Sequence, residues 1–113
     1  MPSKDRPETP DGRYFVARSR LWRRSDPRLD DTTRRAQVKA LMQARRAVGR
    51  AGTEEEERAA RAAVDKAKRA LGERGPVWWD DDAPDEGGRS PANSSYADWW
   101  AGLDDDARAA GQR

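Results

Sequence analysis

Apolar positions fall in two short runs near the start of the chain and recur at helical spacing through its middle. Arg13-Tyr14-Phe15-Val16-Ala17 and Leu21-Trp22-Arg23 are rich in aromatic and β-branched residues, the composition of paired strands. A two-residue turn at Arg18-Ser19 would set Phe15 opposite Trp22 and Val16 opposite Leu21, both favourable cross-strand pairs. Arg-Ser is poor chemistry for such a turn, which wants Gly or Asn where φ is positive. A longer loop therefore stays open, within a hairpin expected over residues 13–24.

Ser25-Asp26-Pro27 ends the second run. A helix is then expected over residues 30–48, with Val38, Leu41, Met42 and Val48 on one face. A second helix is expected over residues 53–73. Thr53 and Glu56 form the sequence pattern of a capping box, and four glutamates lie at the positive end of the helix dipole. Its apolar face (Ala60, Ala63, Val64, Ala67, Leu71) is thin, and Gly72 or Gly75 followed by Pro76 stops it. Two such helices joined by a short glycine-flanked loop make an antiparallel pair that is marginal alone. Trp22 and the segment Val77-Trp78-Trp79, residues 77–79, are therefore expected to cover it.

The predicted class is mainly α (α+β): an N-terminal β-hairpin packed on an antiparallel helical hairpin, with disordered termini. The organisation that follows is a disordered arm over 1–12, a single small domain over 13–79, and an acidic linker over 80–93. A short aromatic amphipathic helix over 94–103 and a tail over 104–113 complete it. In that helix Tyr96, Trp99, Trp100 and Leu103 form one apolar stripe.

Composition narrows the chemistry. Charged residues make up 39% of the 113, and mean hydropathy is -1.22, yet five tryptophans supply enough apolar surface to argue for a fold. There is no cysteine and no histidine, so no disulfide, no thiolate site, no imidazole base and no imidazole ligand. No apolar stretch is long enough for a membrane span or a secretion signal, which makes the cytoplasm the expected location. Charge is uneven: residues 1–52 hold 14 Lys/Arg against 6 Asp/Glu, and residues 76–113 hold 3 against 9. Partners of opposite sign, or internal neutralisation, follow from that.

Candidate sites come from these patterns. Arg35, Lys39, Arg46 and Arg50 share a helix face and, with Arg18, Arg20, Arg23 and Arg24, could track a phosphate backbone. A solvated face is the plainer reading, since no nucleic-acid-binding motif accompanies them. Arg45 falls inside the first helix's apolar stripe, where an ion pair with Glu56 or Glu57 would fix register. Trp22, Trp78, Trp79, Thr53 and Glu56 read as structural. Asp80-Asp81-Asp82 misses the calcium-loop pattern, so no metal is expected. The stripe Tyr96, Trp99, Trp100, Leu103 suits docking on a protein partner or on the chain's own domain.

Asp11-Gly12-Arg13-Tyr14, Leu21-Trp22-Arg23, Leu71-Gly72-Glu73-Arg74-Gly75-Pro76-Val77-Trp78-Trp79 and Tyr96-Ala97-Asp98-Trp99 together resemble a group of short bacterial proteins with no established activity. The likeness spans most of residues 11–101, and its members have Gly at the position of Ser19. It implies the architecture and no chemistry. The functional expectation is a non-enzymatic protein-interaction protein, by a protein partner or self-association, without cofactor, membrane or small-molecule substrate. The alternative is a nucleic-acid-associated protein using the basic stripe.

Overall fold

A computed structural model describes residues 6–113, and four helices and one antiparallel hairpin occur among them. The chain divides into two compact units. One joins the N-terminal residues through Arg24 to Trp79–Arg113. The other is the continuous stretch Ser25–Trp78.

In the first unit, β1 (Tyr14–Ala17) pairs with β2 (Arg20–Arg23) in the register Phe15 to Trp22 and Val16 to Leu21. The two-residue turn is real: Arg18 and Ser19 lie at φ +53° and +63°. Period-two alternation puts Tyr14, Val16, Leu21 and Arg23 on the buried face. Both edges of this narrow ribbon are occupied. Along β1, Val16 N–H donates to Pro7 O and Thr9 N–H to Tyr14 O; along β2, Leu21 exchanges bonds with Gly88 and Arg89. Such covering satisfies groups that would otherwise template association.

Three expectations are corrected here. Of the arm placed at 1–12, residues 1–5 lie outside the described residues, whereas 7–9 border β1 and Thr9 is buried. The acidic linker at 80–93 is a packed segment. Glu86 is buried and accepts from Ser95 N–H and Oγ–H, while its own N–H donates to Tyr14 Oη. The tail at 104–113 contains α4 (Asp105–Gln112), whose cap Asp104 accepts from Ala107 N–H. Before it, the aromatic helix α3 spans only Ala97–Ala101.

The second unit is the helical pair. α1 (Asp31–Arg50) begins at Asp30, which accepts from Thr33 N–H, and α2 (Glu54–Leu71) begins at Thr53, which accepts from Glu56 N–H. The return leg of the capping box differs from expectation. Glu56 Oε1 accepts from the Thr53 hydroxyl. α2 closes at Gly72, φ +82°, where a Cβ would lie 2.9 Å from Asp26 Cβ and 3.2 Å from the Trp78 ring. A glycine is required there twice over, by backbone angle and by space. Leu41, Ala67 and Leu71 form the core, with Leu29, Val38 and Val64 packed against them.

Candidate functional site

The aromatic residues of the first unit are built into its interior. Trp79 is buried and meets Tyr14 edge-on at 5.6 Å, with the Arg13 guanidinium 4.7 Å over its ring. Its indole N–H donates to Ala83 O. Trp22 is half-buried and donates its indole N–H to Ala17 O. In the second unit, half-buried Trp78 lies beside Gly72.

Of the stripe Tyr96, Trp99, Trp100, Leu103, Tyr96 and Trp100 pack on the chain's own unit, and all four residues are half-buried. Tyr96 packs on Tyr14 at 5.6 Å and donates to Asp11 Oδ2. The Trp100 ring lies where a Cβ on Gly111 would be 3.0 Å away, and Val16 Cγ1 would be 3.1 Å from the same atom. Trp99 stands next to both, 6.5 Å from Tyr96 and 6.3 Å from Trp100.

Titration of this cluster follows its packing. Burial, reinforced by the Asp85 and Glu86 carboxylates, pushes the Tyr14 hydroxyl up to about 12. Burial and then the bond to Asp11 push Tyr96 well above the ordinary tyrosine range. Burial alone would raise Asp11, but the hydrogen bonds from Tyr96 and Thr9 outweigh it and hold its carboxyl below the usual value. Each perturbed group is engaged in a structural bond.

The basic residues separate into two sets. Arg35, Lys39, Arg46 and Arg50 are all exposed on α1. Of the hairpin arginines, Arg23, Arg24 and Arg20 each make a contact within their own unit. Arg23, on the inward face with Leu21, is buried with its guanidinium 3.4 Å from Asp85, which removes it from any phosphate-tracking face. Arg24 meets Glu8, and Arg20 donates to Gly88 O. Arg45 is also corrected: it is exposed, and Ala44 takes the interior position. Arg45 acts on the Lys68 ammonium, not on Glu56 or Glu57. Burial foremost, then the Arg74 and Arg45 cations, lower the Lys68 ammonium.

One concavity went unforeseen. Arg18, Ser19 and Arg20 at the hairpin tip and Arg89, Ser90 and Asn93 from the segment beside β2 line an open cavity of about 570 Å³. The sequence did hold a signal for it. Arg-Ser stands where the turn wants Gly or Asn, and Arg89 is one of only three cations after residue 75. Among the described residues no cluster of acids could hold a metal, and no helix is long and apolar enough to cross a membrane.

No protein-family model matches the chain, and no curated protein or solved structure matches it either.

Proposed function

We propose a non-enzymatic, nucleic-acid-associated protein that meets a phosphate backbone with the cationic face of α1. The supporting observation is a one-sided charge pattern. From Thr32 to Arg50 the helix carries six cations and no carboxylate. A helix whose charges serve only solvation usually pairs them, as α2 does through Glu57–Arg61 and Asp65–Arg69. The four stripe residues are exposed and span about 22 Å at 1.5 Å per residue, enough to meet several successive phosphates.

The test is binding of a short duplex across a salt series. Affinity should fall steeply with salt, and the double variant Arg46→Gln/Arg50→Gln should reduce the log–log slope by about 2, roughly one per lost phosphate contact. Both side chains are exposed, so the fold should survive. No retention at low salt would end this reading. A second reading, docking of a protein partner, draws on Trp99, whose ring keeps exposed area beside Trp100. It expects Trp99→Ala to lower the oligomeric mass or release a co-purifying protein while leaving duplex binding unchanged.

A further inference from the structure

The geometry points to a binding site for a phosphate monoester at the tip of the hairpin, formed by Arg18 and Arg20 of the turn region and Arg89 beside β2. The cavity there, about 570 Å³, falls within the size range of small-molecule sites. Every residue lining it has a side chain that can donate a hydrogen bond: three guanidiniums, the Ser19 and Ser90 hydroxyls, and the Asn93 amide. None is a carboxylate.

What distinguishes these arginines is the company they keep. Elsewhere in the same unit Arg13, Arg23, Arg24 and Arg108 meet Asp81, Asp85, Glu8 and Asp105. Among the described residues the guanidiniums of Arg18, Arg20 and Arg89 form no ion pair with an Asp or Glu side chain, although residues 76–113 hold nine acids against three cations. Composition would favour neutralising them. Three like charges around one hollow repel each other unless an anion joins them.

The walls are also held in place. Arg20 Nη1 donates to Gly88 O at 2.7 Å, which orients the guanidinium. Arg89 is fixed through its backbone, donating to Glu86 O and accepting from Leu21 N–H, so its side chain has no structural bond to lose. Arg18 N–H and Ser19 N–H donate to the Arg113 and Gly111 carbonyls, which pin the turn. Ser90 begins the 3-10 turn Pro91–Asn93 without a side-chain capping bond.

A carboxylate offers two oxygens and one charge. A phosphate monoester offers three terminal oxygens and nearly two charges at pH 7, matching three guanidinium forks and the adjacent hydroxyls. The volume leaves room for the esterified group. The site lies in a different unit from α1 and does not depend on the nucleic-acid reading.

The experiment follows backbone amide shifts by NMR in the full chain at low salt, with four probes: glucose 6-phosphate, inorganic phosphate, glucose and acetate. Glucose 6-phosphate should shift Arg18, Ser19, Arg89 and Asn93 saturably. Inorganic phosphate should shift the same amides with weaker affinity, and glucose and acetate should not. Arg89→Gln should weaken binding tenfold or more, as expected for losing a charged hydrogen-bonding fork. Asn93→Asp, which adds a carboxylate to the wall, should do the same, and Arg58→Gln, on the exposed surface of α2, should leave glucose 6-phosphate binding unchanged. Absence of saturable shifts at millimolar glucose 6-phosphate overturns the proposal. So does acetate binding as well as phosphate, tighter binding of inorganic phosphate than of the ester, or an unaltered affinity in both Arg89→Gln and Asn93→Asp.

Discussion

At Arg18 and Ser19 two side-chain-bearing residues adopt the left-handed conformation, which costs an L-residue about 1–2 kcal/mol each. The hairpin's length and pairing were legible in the sequence, because Phe15 and Val16 have complementary partners at the right distance. What tolerates the strain was not legible. The carbonyls that hold the turn belong to Gly111 and Arg113, about ninety residues away. Ser19→Gly removes the Cβ penalty and should stabilise the protein by about 1 kcal/mol, less the entropy glycine loses on folding. Urea unfolding checks this; a lower midpoint would contradict the account of the turn. Arg23 shows the same limit of reading. Its charge suggests the surface, but its strand position shared with Leu21 sends it inward, where Asp85 and the face of Trp79 meet its guanidinium.

Among the elements, α1 and α2 were readable to within two residues: the Thr53 cap and the Gly72 stop frame α2, whereas α1 runs on through Gly49 to Arg50. Arg45 was misplaced because the rotation of α1 against its partner cannot be read from either helix alone, and about 100°, the step from Ala44 to Arg45, exchanges interior for surface. α4 was missed for a different reason. Its interior contacts are Ala110 and Gly111, which contribute no hydrophobic pattern. Gly111 is nevertheless specific. Replacing a helical glycine by alanine ordinarily gains up to about 1 kcal/mol, but here the added methyl meets Trp100 at 3.0 Å and Val16 at 3.1 Å. Gly111→Ala should therefore cost about 1–2 kcal/mol by overpacking. Thermal unfolding decides the sign, and an unchanged or raised Tm would mean that Trp100 moves aside without cost.

Across the whole molecule, the hairpin unit draws on both halves of the chain, and its centre is the Tyr14 hydroxyl, which is 1% exposed with its residue. Because the folded state raises this group from 10.0 to about 12, its protonated form is favoured by folding. The resulting stability is complete below pH 10 and is lost as pH rises toward 12. Tyr96, shifted the same way, adds to it. Phenolate absorbance should consequently appear together with loss of near-UV circular dichroism, and Tyr14→Phe should flatten the decline. Ionisation of both tyrosines near pH 10 with the fold intact would refute the packing described. Nothing in the local sequence around Tyr14 announces this environment, since its neighbours Trp79, Asp85, Glu86 and Tyr96 all arrive from beyond the helical pair.

The discontinuous make-up of that unit has a consequence during synthesis. The hairpin leaves the ribosome first, yet Trp79, Tyr96, Trp100 and Gly111, which shield Tyr14 and Val16, emerge last. At about 5–20 residues per second the delay is roughly 4–18 seconds. Throughout it a strip of apolar strand, unsatisfied along the β2 edge that Gly88 and Arg89 later cover, is available to chaperones or to a neighbouring nascent chain.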